Sequence, residues 1–288
     1  MIKDKPLTLI TGGNGKTGSR LAAILRKNQY PVRLAGRKKP SSSEAHDNHV
    51  YFDWYDPTTY GSALKNVDHV YLVVPIMDMN PEAVMIPFIK EALWSGVKRF
   101  VLLGSASLDE DGAIFGKVHQ SLKELAPEWT VLRPSYFMQN FTEGPHRETI
   151  EQLGKIYSAA GDGKIGFVSA DDIAAVAFHA LTDVVPHNTA HIITGPESLS
   201  YGQVADTISR ILDQPVQHES LSDEQLRNSL IRTGMTQDYA TTLAGMDVFI
   251  REEGREDQTT DTVLNVTGQS PISLEQFIRQ HMKVSEKL

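Results

Sequence analysis

Six short apolar runs recur along the first half of the chain: LTLIT at 7–11, VRLAG at 32–36, VYFDW at 50–54, HVYLVV at 69–74, RFVLLGS at 99–105 and WTVLRPS at 129–135. Each has the length of a strand, and stretches of helical length separate them. In the stretch at 79–100, Val84, Phe88, Ala92 and Val97 fall at roughly helical spacing, and Gly96 stops the helix before the next strand. Such alternation builds βαβ units, so the sequence predicts an α/β fold with a doubly wound parallel sheet covered on both faces. After Pro134 the rhythm changes. FVSADDIAAVAFHALTD reads as a strand end feeding a capped helix whose first turn carries Asp171 and Asp172, and AHIITG reads as one more strand. From Tyr201 onward helical patterns dominate, with Val204, Ile208, Ile211 and Leu212 on one face and a polar stretch from 222 to 260. The segment at 38–48 reads as a solvated loop.

Where the first run ends, the chain reads TGGNGKTGSRLAAIL, with Gly12, Gly15 and Gly18 three residues apart. Gly12 lets the chain turn sharply, Gly15 lets backbone approach a pyrophosphate, and Gly18 lets the following helix pack close to the strand. The unpaired N–H groups of that helix's first turn, with the positive end of its dipole, then form an anion site. Turns collect glycine for steric reasons alone, so it is the strand before and the helix after that make the pattern a dinucleotide fingerprint. The fold expected is therefore Rossmann-type: a cofactor domain over 1–155, then a smaller, mostly helical substrate-binding part over 156–288, of which 165–194 packs back on the sheet. The expected phosphate-side residues are Gly12, Gly15, Lys16, Thr17 and Gly18. The second run ends in LAGRKK, where an acidic residue would accept the ribose hydroxyl of NAD; Arg37 and Lys38 suit a 2′-phosphate instead and favour NADP. A basic solvated turn is the alternative. Asp53, Pro75 and Ser105, at or just beyond the ends of the third, fourth and fifth runs, complete the candidate cofactor set.

With 288 residues, 40% of them hydrophobic, the chain can bury a sizeable core. Its 28 basic and 36 acidic side chains give a net charge of -8, which argues against nucleic acid or an anionic membrane surface and leaves a small molecule as the expected partner. The absence of cysteine excludes a thiolate nucleophile and cysteine-ligated metals, and no metal site is expected. No secretory pattern opens the sequence, and VYLVVPIM at 70–77 is far shorter than a spanning helix, so the cytosol is the expected compartment. The tripeptides at 140–142 and 265–267 match a glycosylation pattern that needs a secretory route.

The ladder, the basic end of the second run, LRPSYFMQNF at 132–141 and DGKIGFVSADDIAAVAFHAL at 162–181 together resemble the NmrA-like atypical short-chain dehydrogenases, over nearly the whole length. Within them the chain looks most similar to fungal ergot-alkaloid reductases of the festuclavine and agroclavine type. That resemblance implies NADP(H) in the N-terminal domain and a substrate pocket between strand-end loops and the C-terminal helices. The ergot branch carries a Trp and a Glu near Tyr136 and Gln139, which are substrate-side positions, so the substrate stays open. The group also contains redox sensors that bind the cofactor without turnover, and fold cannot choose between these.

Ketone-reducing members of the superfamily use Tyr-x-x-x-Lys, the Lys tuning a phenol that delivers a proton to the developing alkoxide. None of the nine tyrosines here has Lys four residues on. The catalytic candidates are Ser105, Tyr136 and His119, the last lying with Lys123 on one helix face that reads equally as solvated surface. Ser105 reads equally as a turn cap. Tyr136, Phe137, Met138 and Asn140 are the candidate pocket residues, with core packing as the alternative for the aromatic and Met side chains. Reducing a ketone builds negative charge on oxygen, whereas reducing an iminium ion discharges a cation already present. The missing dyad therefore points to an NADPH-dependent reductase acting on an activated C=N (iminium) or C=C bond of a small alkaloid-like or aromatic compound. The alternatives are an NADP(H)-binding sensor, which alone would need a protein partner, and a non-redox isomerase or cyclase.

Overall fold

The computed structural model describes residues 5–38, 48–108, 110–112 and 114–282. Strand β1 (Thr8–Thr11) is buried at every position and pairs in parallel with β2 (Val32–Gly36) on one side and β4 (His69–Val73) on the other. With β3 (His49–Tyr51), β5 (Arg99–Leu103), β6 (Glu128–Pro134) and β9 (Thr189–Ile193), the sheet runs β3-β2-β1-β4-β5-β6-β9. Successive strands step outward from β1 to β3 in one direction and from β4 to β6 in the other, so the order reverses between β1 and β4. That reversal is where a doubly wound sheet opens a crevice at its carboxyl edge. The Rossmann-type architecture expected from the sequence is present, with a mostly helical C-terminal region.

The chain divides into two compact units: Met1–Arg133 with Ile173–His191, and Pro134–Asp172 with Ile192–Leu288. In the first, the Glu82–Trp94 helix buries Met85, Phe88, Ile89 and Ala92 and ends at Gly96, whose φ of +97° closes it as the sequence suggests. The third expected run yields a shorter strand: after Tyr51, Phe52 turns into the core and Asp53 begins a turn. The loop expected at 38–48 lies outside the described residues, apart from Lys38 and Asn48.

In the second unit three helices start with the same device. Ser200, Ser222 and Ser273 each cap a helix with a Gln three residues on returning the bond, which opens the helices Tyr201–Leu212, Asp223–Arg232 and Leu274–His281. The longer Gln237–Glu253 helix starts at Thr236 and stops at Gly254. Two small sheets brace them: β7 (Lys155–Ser158) runs parallel to β11 (Gln217–Ser220), and β8 (Lys164–Ile165) antiparallel to β10 (Leu199–Ser200). Phe141, Phe167, Tyr201 and Phe277 fill the core between these pieces.

Candidate functional site

The turn after β1 is shaped by its glycines. Gly12 sits at φ +68°, a conformation that L side chains rarely adopt. A Cβ on Gly18 would stand 2.5 Å from the Gly12 carbonyl oxygen, and one on Gly13 2.9 Å from the Leu34 side chain. Gly15 caps the Lys16–Lys27 helix without a side chain and is exposed, and no acidic residue occupies the first turn. The helix therefore presents its positive end at an open, backbone-lined cradle suited to a pyrophosphate. Thr17 is buried, and its hydroxyl accepts the Tyr71 hydroxyl at 3.0 Å, so what it presents at the open cradle is chiefly backbone.

Arg37 and Lys38 are exposed just beyond β2, where Asn14 donates to the Lys38 carbonyl at 3.3 Å and so links the cradle to the basic turn. The Asp53 carboxylate accepts the Tyr55 N–H at 3.1 Å, and the Tyr55 hydroxyl donates to Asp78 at 2.7 Å. Pro75 is buried two residues beyond β4. Ser105 lies beyond β5, where its Oγ accepts the Ser107 N–H at 3.2 Å and its carbonyl accepts from Arg133. The turn-cap role is thus present, and the Ser105 hydroxyl retains its proton for donation. All these groups belong to the first unit.

His119 departs from both readings of it as an accessible side chain. It is 3% exposed, packs 5.7 Å from the Trp129 ring, and leaves Nε2 buried without a partner. Burial lowers its pKa, keeping it neutral.

The second unit holds a cavity of 650 Å³. Tyr136, Tyr157 and Tyr201 supply its aromatic surface, while Leu226, Leu230, Leu243 and Met246 bring aliphatic surface from the helices Asp223–Arg232 and Gln237–Glu253. Of the four candidate pocket residues, Tyr136 and Asn140 line it, whereas Phe137 and Met138 do not. Met138 is 1% exposed within the core, its N–H bonded to the Val168 carbonyl. Gln139, expected on the substrate side, is fully buried: its Oε1 accepts the Ala170 N–H at 2.8 Å and its Nε2 donates to Ser169, fastening the start of the Ala170–Thr182 helix. Asp171 and Asp172 do stand in that helix's first turn, and Asp172 also accepts the Ile272 N–H at 2.9 Å.

Asp247 carries no signal in the amino-acid sequence. It lies inside a helix of weak amphipathic pattern, yet it is 6% exposed and lines the cavity. Its Oδ2 accepts the Ala159 N–H at 2.8 Å, and the Tyr136 hydroxyl donates to the same carboxylate. Burial pushes its carboxyl up to about 6 against the pull of that N–H, Arg251 and Tyr136. Tyr201 is pushed well above its ordinary value, first by burial and then by Asp247. Only the fold joins Tyr136, Ala159 and Asp247, since Ala159 and Asp247 lie 88 residues apart. Among the described residues no helix is long and apolar enough to cross a membrane, and no group of His, Cys, Asp or Glu could hold a metal ion.

Known proteins resemble the chain in sequence and in fold. The chain is 45% identical over 281 residues to an uncharacterized oxidoreductase, YesF, of Bacillus subtilis, covering 98% of this chain and 96% of that one. It is 41% identical over 274 residues to festuclavine synthase I of Penicillium roqueforti, covering 91% and 94% respectively. A bacterial relative thus matches at higher identity than this fungal one, and the likeness is not confined to the ergot branch. Among solved structures, the Citrobacter triphenylmethane reductase complexed with NADP(H) superposes with a TM-score of 0.78 at 21% identity, covering 96% of this chain and all of that one, which speaks to the fold. The NmrA-like family model matches residues 4–284, and with these relatives it shows that the chain belongs to the NmrA-like family.

Proposed function

We propose that the chain is a reductase of an activated C=N (iminium) or C=C bond in a small aromatic, alkaloid-like compound, working with NADPH. The cofactor is NADP(H) and the activity is that of an oxidoreductase; when bound, NADPH supplies the hydride. The observation that carries the choice of substrate is the 650 Å³ cavity, whose aromatic and aliphatic walls suit a compact ring system. The match to festuclavine synthase I supports an alkaloid-like compound as substrate.

In this reading the first unit holds the cofactor and the second the substrate. Gly12, Gly15, Lys16, Thr17 and Gly18 hold the pyrophosphate through backbone, Arg37 and Lys38 take the 2′-phosphate, and Asp53, Pro75 and Ser105 border the rest. Tyr136 and Asn140 orient the substrate. The Tyr136 hydroxyl is already committed to Asp247, so Tyr136 positions that carboxylate rather than serving as a free acid. His119 is sealed in the first unit and contributes packing.

The cofactor assignment is tested by titration. NADPH should bind at least about tenfold more tightly than NADH, because one charged hydrogen-bonded contact is worth roughly 1.5–3 kcal/mol. Arg37→Asp should erase that preference. Equal affinities in the unmodified protein would remove the role assigned to Arg37. Oxidation of NADPH in the presence of a panel of cyclic iminium ions and quinones tests the reductase itself, and a protein that binds NADPH but oxidises it with none of them would be a sensor.

A further inference from the structure

We propose that Asp247 is the counter-ion for a positively charged substrate nitrogen, so that this cavity selects cations over neutral compounds of the same shape. The inference rests on the reading of the cavity as the substrate site and adds its charge preference. A carboxylate removed from water is costly unless paired, and such groups are kept where a partner completes them. Asp247 has the Ala159 N–H on one oxygen and the Tyr136 hydroxyl, two neutral donors that fix its direction without cancelling its charge. Among the described residues no lysine or arginine forms an ion pair with it.

Of the charged groups around it, Arg251 is engaged elsewhere, and Arg232 and Glu148 are exposed to solvent. Arg251, one turn along the same helix, places its guanidinium on the Ala159 carbonyl at 2.7 Å, Asp223 at 2.9 Å and Glu252 at 3.0 Å. Arg232 and Glu148 also line the cavity, and His146 and Tyr201 stand among its aromatic groups. Tyr136 and Tyr201, which line the same cavity, add aromatic surface favourable to a cation, since ring quadrupoles attract positive charge. A neutral substrate would leave Asp247 buried and unpaired, whereas an iminium or ammonium nitrogen would complete it. The same two donors hold the carboxylate ionised for that task, which is the physical use of a tyrosine that lacks the usual lysine.

The test compares a cation with a neutral ring of similar size. By calorimetry, the unmodified protein should bind 2-methyl-1,2,3,4-tetrahydroisoquinoline, a cation at pH 7.5, more tightly than isochroman. Asp247→Asn should weaken the amine roughly 10- to 100-fold, the range of a charge-assisted hydrogen bond, and leave isochroman within about threefold. In steady state with NADPH, the loss for N-methyl-3,4-dihydroisoquinolinium should fall mainly on KM and should exceed any loss for menadione. NADPH affinity and the melting temperature of the variant verify that it is folded. Should Asp247→Asn prove unstable, Tyr136→Phe, which removes a donor that holds the carboxylate ionised, should weaken the amine more than it weakens isochroman. Equal affinity for amine and isochroman in the unmodified protein, or equal losses of both in the variants, overturns the proposal. Charge-selective binding without reduction of either electrophile would instead sustain the role of Asp247 and overturn the reductase reading.

Discussion

A buried imidazole with an unpaired ring nitrogen works against the fold, because folding strips that nitrogen of water and returns nothing. His119 is in this position beside Trp129. His119→Leu, similar in volume and free of polar atoms, should raise stability by about 1–2 kcal/mol, read from urea denaturation, and should leave NADPH oxidation within about twofold. A large loss of turnover with NADPH affinity intact would place His119 in the chemistry after all. At this scale the sequence was informative about groups whose role is set by neighbours along the chain. Gly12 must turn, and Arg37 must emerge beyond β2. It was silent or misleading where the role depends on distant chain: Gln139 closes on Ala170, and Asp247 meets Ala159 across 88 residues. Nothing local tells an inward carboxylate from a solvated one.

Among the elements, the turn between β1 and the Lys16–Lys27 helix separates two kinds of glycine. At Gly18 a Cβ would meet backbone, the Gly12 oxygen at 2.5 Å and the Gly13 Cα at 3.1 Å, and backbone in a buried turn has nowhere to go. Gly18→Ala should therefore destabilise the fold by about 2 kcal/mol or more. At Gly15 the nearest atom to a Cβ is the same oxygen at 3.1 Å, and the residue's φ of -78° is open to any side chain. Gly15→Ala should melt close to the parent, within about 1 kcal/mol, yet lose NADPH affinity at least about tenfold, since its methyl group would stand on the open side of the cradle. If both variants bind NADPH as the parent does, the ladder is only a turn. The elements themselves were well marked in the sequence wherever burial on both faces makes a strand continuously apolar, as in β1, β4 and β5. The short strands β7, β10 and β11 were not, because each holds only two to four residues and is defined by its partner. The helices Asp223–Arg232 and Gln237–Glu253 hid in a polar stretch because one has no buried residue and the other buries only Ala240, Ala244, Asp247 and Ile250.

For the whole molecule, buried titratable groups make stability depend on pH in two opposed directions. His69 and His191 are lowered to about 4, in both cases first by burial, and burial lowers His218 as well as His119. These imidazoles bind protons less readily in the folded chain than in the unfolded one. Their contribution is fully present above about pH 6.5 and is lost as pH falls toward 4. Asp172 and Asp247 are raised to about 6, chiefly by burial, and bind protons more readily in the folded chain. They penalise the fold above about pH 6, and the penalty fades as pH falls toward 4. The two sets titrate in one window and partly cancel, which should flatten the parent's stability profile there. Asp247→Asn removes one side of that balance. Relative to the parent, the variant should gain about 2–3 kcal/mol between pH 4 and pH 7.5, and its own acid-induced loss should be steeper. Reading the change with pH, rather than the difference at one pH, cancels any constant effect of exchanging an oxygen for an amide nitrogen. Denaturation midpoints across that range provide the measurement. A difference between variant and parent that stays constant with pH would mean that Asp247 titrates as an ordinary surface carboxylate, and the cavity would then hold no buried charge for a cation to complete.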